Sequence, residues 1–453
     1  MNIQKNGINL LLVAEAGLLI IVLVLGLISS AAGVIQGAGG STEDIVVDNG
    51  NNDWMNPDIG ADSEDSQKPG NDNPGGNQPG GDNSGGDEQN PDMWHVYTVP
   101  EDYADGRITF SEAVDAKLAA MTVQQKVAQL FVISPEALTG YNSVTAFGNA
   151  SKQAYDSYPV GGLVYSPKNF QSKAQVQVLL KGIQDYGKQK YGITVFTVID
   201  EEGGANFSPL ATSLGFDRVS SASELGAQGL AAVEQAAKTR GEYVFSHGFN
   251  LLLSTIADVS PALDTAYRLR TFGTDGALVA SMVAAEIKAI ETAGVNSALK
   301  YFPGKAHATE NGSGILYTDM SIEDLSKDIL ASYATGIDSG ASVVTIGNVI
   351  APAITDDENV PCSLSNRAIG LLRQSMGFNG IIMTEEFSTS AFVTTYGGDS
   401  ACVEAIKAGV DMIYMPANFV ESYNAVLEAV NNGNISMDRL NNAVGRILTE
   451  KGL

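Results

Sequence analysis

The run "GIIMTEEF" at residues 380–387 closes on two adjacent carboxylates, Glu385 and Glu386. A short apolar run of this kind reads as a buried strand, and a strand that ends in acids delivers them to a rim. Two carboxylates at one rim can divide the work of glycoside hydrolysis, one as nucleophile and one as acid. A solvated loop start would carry the same pair, so the chemistry has to be argued from what stands around them. Other apolar runs end in a similar way. "TVFTVID" leads into Asp200-Glu201-Glu202-Gly203-Gly204, "NLLLSTIADVS" carries Asp258, "SALKYFPG" carries Lys300 and Tyr301, and "SVVTIGNV" carries Asn348. Carboxylates and lysine accept from and donate to sugar hydroxyls, so such a rim suits a carbohydrate or another polar ligand.

These residues need elements to bring them together. Eight short apolar runs, at 127–134, 161–166, 194–200, 250–260, 297–304, 342–349, 380–387 and 411–417, alternate with longer Ala-rich stretches of helical period. Strands separated by crossover helices imply a parallel sheet, and eight repeats in one span point to an α/β fold, a (β/α)8 TIM-type barrel. A doubly wound open sheet is the alternative. In a barrel the active residues stand at the C-terminal strand ends, where the polar residues above fall.

Composition bounds the rest. The chain has 453 residues, 44% of them hydrophobic, and a formal net charge of −26. That charge argues against nucleic acid, whose phosphates require clustered Lys and Arg. Cys362 and Cys402 show no metal spacing and read as two buried free thiols, a disulfide between them being the alternative. Only three histidines occur, so neither a metal site nor a cofactor is expected.

Residues 1–40 contain "LLIIVLVLGLISSAAGVI", close to the length that spans a bilayer, with Lys5 ahead of it and acids after it. An uncleaved single-pass anchor with the folded part outside the cell is expected; a cleaved signal with secretion is the alternative, since "ISSAAG" offers small residues for a peptidase. Residues 41–106 are rich in Gly, Pro, Asn and Asp and read as a disordered acidic linker. The barrel is expected over 107–453.

Within that span "MTVQQKVAQLF", "VIDEEGG", "RLRTFGTD", "ALKYFPG", "PCSLSNRAIGLLRQSMGFNGIIMTEEF", "AIKAGVDMIYMP" and "GRILTEKG" follow one another. In this order they resemble glycoside hydrolase family 3, specifically its single-domain bacterial β-N-acetylglucosaminidases (β-N-acetylhexosaminidases). The resemblance covers nearly all of residues 115–453. It implies that Asp200, Arg270 and Lys300 bind sugar in the −1 subsite, and that Glu385 stands in the place of the nucleophile, an aspartate in the family. Tyr301 and Asn348 take the places of two sugar-side histidines, and Ala205 and Ser208 those of two arginines. The family's Asp-Ser-His loop, whose histidine is the acid/base, is here Asn311-Gly312-Ser313. His307 and Glu310, on the same loop, are the substitute acid/base candidates.

Two functions follow from the resemblance. One is a family 3 glycosidase of the β-N-acetylhexosaminidase type with altered catalytic residues, acting on N-acetylglucosamine-containing cell-wall glycans or muropeptides. The other is an inactive relative that binds a glycan or a partner protein at the barrel mouth. Loss of a positioned acid/base lowers the rate by roughly 10²–10⁴. An Asp-to-Glu change that shifts the nucleophile by about 1 Å can cost roughly 10² more.

Overall fold

The computed structural model describes residues 95–260 and 268–453. The expected anchor, and the linker as far as residue 94, lie outside the described residues. Among those described, no helix is long and apolar enough to cross a membrane.

Eight parallel strands form the centre. They are β1 (Phe131–Ile133), β2 (Gly162–Val164), β3 (Phe196–Asp200), β4 (Leu251–Ile256), β5 (Asn296–Phe302), β6 (Val343–Ile346), β7 (Ile381–Thr384) and β8 (Ile413–Tyr414). Neighbours in the sheet run β7-β6-β5-β4-β3-β2-β1-β8, so each strand lies beside its sequence neighbour and β1 pairs with β8 through Phe131 opposite Ile413. The two end strands meet through parallel bridges at Met383–Met412 and Phe387–Pro416. The sheet is therefore nearly closed, as a (β/α)8 barrel requires.

Apolar runs make these strands because both faces are covered, by side chains within the barrel and by helices outside it. Every strand residue is buried except Asp200, Asn296 and Tyr301. The helices are amphipathic in the expected sense. In Lys173–Tyr191 the buried residues Val176, Leu179, Leu180, Ile183 and Gly187 fall on one stripe, and Ser172 caps the first turn.

All eight expected runs contain a barrel strand. The run 127–134 is split: residues up to Gln129 complete the helix Val123–Gln129, which opens on a capping box between Thr122 and Gln125, and only Phe131–Ile133 is strand. A buried helix end and a buried strand carry the same apolar signal, and here the cap decides.

Residues 95–106 lie against the barrel. The Tyr97 N–H donates to Ser326 Oγ at 3.1 Å, and Asp105 accepts from Arg446 at 2.7 Å and from Arg439. Both arginines also donate to the fully buried Asp411, at 2.9 and 2.7 Å, and Arg373 joins them there. Cys362 and Cys402 are both buried free thiols.

Candidate active site

The C-terminal ends of β3 and β5 flank β4 on one side of the barrel mouth. Lys300, 1% exposed on β5, donates to Asp200 Oδ1 and Oδ2 at 2.7 and 2.8 Å and to Glu202 Oε1 at 2.7 Å. Arg270 meets Glu202 side-on, Nε to Oε2 at 2.7 Å and Nη2 to Oε1 at 2.6 Å, a bidentate fork that fixes both planes. Its guanidinium lies 4.8 Å from the Phe207 ring centre. Burial alone would raise the Glu202 carboxyl, but the charges of Lys300 and Arg270 bring it down to about 2. The same acids lift the Lys300 ammonium above its ordinary value against its own burial. Asp200 is the member that reaches outward, with its side chain 33% exposed. Its carboxylate can accept from a sugar hydroxyl while Lys300 stands behind it.

Glu385 follows β7 on the opposite wall. Its N–H donates to the Ile346 carbonyl at 2.8 Å, and its Oε2 accepts the Asn348 N–H at 2.9 Å. Its Oε1 is occupied by the Lys305 ammonium, which also lies 4.7 Å from the centre of the Tyr301 ring. Asn348 is itself held, donating from Nδ2 to the Glu386 carbonyl at 2.9 Å and accepting from Ser363 Oγ at 2.8 Å. Glu386 takes a hydrogen bond from Ser388. Burial raises its carboxyl, opposed by that hydroxyl and helped by the charges of Glu385 and Asp200.

The turn after β5 carries Lys305. Gly304 sits at φ +118°, and a β-carbon there would fall 2.3 Å from Asp258 Oδ1, so glycine is required on both counts. Asp258 is fully buried and its Oδ2 accepts the Lys305 N–H at 2.9 Å. Burial pushes this carboxyl up to about 6, against the backbone N–H groups of Lys305 and Ala306.

His307 and Glu310 are on this loop but stand elsewhere: His307 Nε2 lies 3.1 Å from the Val259 carbonyl, and Glu310 is exposed. The segment Asn311-Gly312-Ser313 forms the tip of a hairpin, Thr309–Glu310 against Leu316–Tyr317, that docks on Val349–Ile350. Asn311 Oδ1 accepts from the N–H groups of Ser313 and Ile315 at 2.9 and 3.0 Å, so its amide is spent on closing the tip.

The structure thus gathers Asp200, Arg270, Lys300 and Tyr301 into one connected set, the last through Arg270 Nη2 at 3.5 Å from its hydroxyl, and joins Asn348 to Glu385. Sequence reasoning placed Glu202 on the polar rim without an individual role and gave none to Lys305. The signal for Lys305 was its place directly after the Phe302-Pro303-Gly304 turn at a strand end. Among the described residues no group of three or more His, Cys, Asp or Glu is arranged to hold a metal ion.

The glycosyl hydrolase family 3 N-terminal domain matches residues 122–450, the whole barrel. The chain belongs to glycosyl hydrolase family 3. Among family 3 relatives, it is 28% identical over 235 residues to a β-N-acetylglucosaminidase/β-glucosidase of Cellulomonas fimi, covering 48% of this chain and 41% of that one. It is likewise 28% identical over 263 residues to the β-hexosaminidase LpqI of Mycobacterium tuberculosis, covering 56% of this chain and 67% of the relative. The family 3 β-N-acetylglucosaminidase structure from a Paenibacillus species aligns at TM-score 0.68 and 26% identity, over 73% of this chain and 62% of that one. The β-N-acetylhexosaminidase of Beutenbergia cavernae aligns at TM-score 0.63 and 25% identity, over 74% of this chain and 100% of that one. The chain thus spans well under two thirds of its Cellulomonas relative and somewhat under two thirds of the Paenibacillus structure.

Proposed function

We propose that this family 3 barrel binds a terminal hexosamine residue of a glycan at its mouth and hydrolyses it little or not at all. The observation that carries the reading is the division of the rim. On the β3–β5 side Asp200, backed by Lys300 and Arg270, keeps an outward carboxylate for sugar hydroxyls. On the β7 side the carboxylate in the nucleophile's place is taken by Lys305, and the loop position of the acid/base is spent on a hairpin tip. A carboxylate paired with an ammonium is a poorer nucleophile, because attack must first break the pair. The names of the relatives support N-acetylhexosamine as the sugar class. A cell-wall glycan or muropeptide as the natural ligand, and an extracellular barrel tethered by residues 1–40, are part of the same proposal; the apolar run and the acidic segment after it support the tether.

Hydrolysis is the second reading. The observation in its favour is Glu386, a carboxyl raised by burial beside Glu385 and therefore suited to hold a proton. Two measurements on the full chain separate the readings: turnover of an aryl β-N-acetylglucosaminide, and calorimetric titration with N-acetylglucosamine. Binding without turnover supports the first. Turnover abolished by both Glu385→Gln and Glu386→Gln establishes the second.

A further inference from the structure

The Lys305 ammonium rests on partners that are held independently of it. Its carboxylate partner, Glu385, is fixed by the Asn348 N–H on one side and by its own N–H to Ile346 on the other. Asn348 is in turn fixed by Ser363 and the Glu386 carbonyl. The Tyr301 ring, 4.7 Å away, supplies the aromatic face that attracts a cation. Glu385 is 17% exposed, and a carboxylate that dry requires a counter-charge. Lys300 is held by Asp200 and Glu202, and Arg270 is forked on Glu202. Carboxylate, ring face and a seated ammonium together make a cation site.

We infer that Lys305 is an internal ligand, and that the external ligand which takes its place is the protonated amine of a non-acetylated amino sugar. This rests on the reading of the mouth as a hexosamine site and narrows it. Asp258 holds the backbone of the turn at the Lys305 N–H, so the four-carbon stem can swing aside while the chain stays in place. An incoming sugar ammonium satisfies Glu385 and meets the same ring. A neutral N-acetylated sugar leaves Glu385 with Lys305 and gains nothing from the exchange.

Calorimetric titration of the full chain and of Lys305→Met with glucosamine and with N-acetylglucosamine, at a pH where the amine is protonated, tests this. With the competitor removed, glucosamine affinity should rise at least tenfold while N-acetylglucosamine changes by less than threefold, and the gain should vanish in Lys305→Met/Glu385→Gln. Equal gains for both sugars mean that Lys305 only fills space, and overturn the inference while leaving the hexosamine reading intact. No gain for glucosamine in a folded variant that still binds N-acetylglucosamine also overturns it.

A measurement on the unaltered protein stands beside these in case Lys305→Met does not fold. The side-chain ammonium of Lys305, observed by nitrogen NMR as a slowly exchanging group, should be released by glucosamine and not by N-acetylglucosamine. Release by neither sugar overturns the inference. If neither sugar binds either protein, the hexosamine reading falls first. In that case thermal stabilisation of Lys305→Ala by ethylammonium, dependent on Glu385, would show a cation site whose ligand is not an amino sugar, and the assignment made here would be wrong.

Discussion

Asp200 is open to solvent on one side and backed on the other by Lys300, whose ammonium lies 2.7 and 2.8 Å from its two oxygens and is itself only 1% exposed. One lysine therefore aims the outward carboxylate and neutralises Glu202 beneath it. Lys300→Met leaves Glu202 buried with Arg270 alone, and removing one partner of a buried pair costs about 3–5 kcal/mol. Denaturant unfolding should show a loss of that order. Asp200→Asn, at the exposed end, should be far milder in stability yet abolish sugar binding by calorimetry. Equal destabilisation by the two would deny the asymmetry.

Turnover should be minimal. If the hairpin tip Asn311-Gly312-Ser313 stands where the proposal puts the acid/base, release of aryl aglycone should run roughly 10²–10⁴ below a family member with that group in place. A sensitive fluorogenic β-N-acetylglucosaminide is the check, with Glu385→Gln as the background. Any rate shared by the variant is not chemistry at this site.

Glu201 gives the stability a pH slope. It is fully buried, where it accepts from the Leu210 and Ala211 N–H groups and the Tyr243 hydroxyl, yet burial dominates and pushes it from 4.5 to about 7. The folded state therefore holds this proton more tightly than the unfolded chain. Its contribution is present in full below pH 4.5 and is lost as pH rises through about 7. Thermal unfolding followed across that window should show a decline that Glu201→Gln flattens. A variant that declines as steeply as the parent would remove Glu201 from the account.

The Asp105 cluster gives the opposite slope at low pH. Burial works to raise Asp105 and Asp411, but Arg446 and Arg439 hold both below the ordinary 3.8, with Arg373 adding to them at Asp411. Their stabilisation is present above that value and lost as pH falls through the lower folded values. Asp105→Ala removes the surface-side partner of two arginines and should cost about 3–5 kcal/mol at neutral pH. It should also blunt the acid transition, measured by circular dichroism.

For the proposed tether, protease applied to intact, wall-stripped cells should release a soluble fragment that begins between residues 41 and 94. Recovery of a soluble protein starting near residue 31 would instead indicate a cleaved signal.

The strands were legible because a strand buried on both faces has almost no choice of residue. The exception, residues 127–129, failed for the same reason, since a buried helix end draws on the same apolar set. Asp200, Arg270 and Lys300 were found through ordered motifs. Nothing local announces that a lysine will meet an aspartate 100 positions earlier. Lys305 escaped because a lysine after a glycine turn is ordinary in sequence, and its meaning lies in Glu385, 80 positions on. Asp105 was hidden in a different way. It lies in a stretch poor in apolar residues, and only the arginines of the last helix, 334 and 341 positions later, give it a role.

That last separation bears on how the protein is made. A chain emerging in order from the ribosome presents Asp105 long before the helix Met437–Glu450. Until that helix arrives, Asp105 lacks Arg439 and Arg446, Asp411 has only Arg373 of its three arginines, and β1 waits for β8. The wall therefore cannot be sealed piecemeal. Its final seam joins segments separated by most of the barrel sequence, and contacts so distant along a chain form slowly. Until then the nascent protein holds exposed strand edges, which makes the interval before the seam closes the one in which it most needs protection from aggregation.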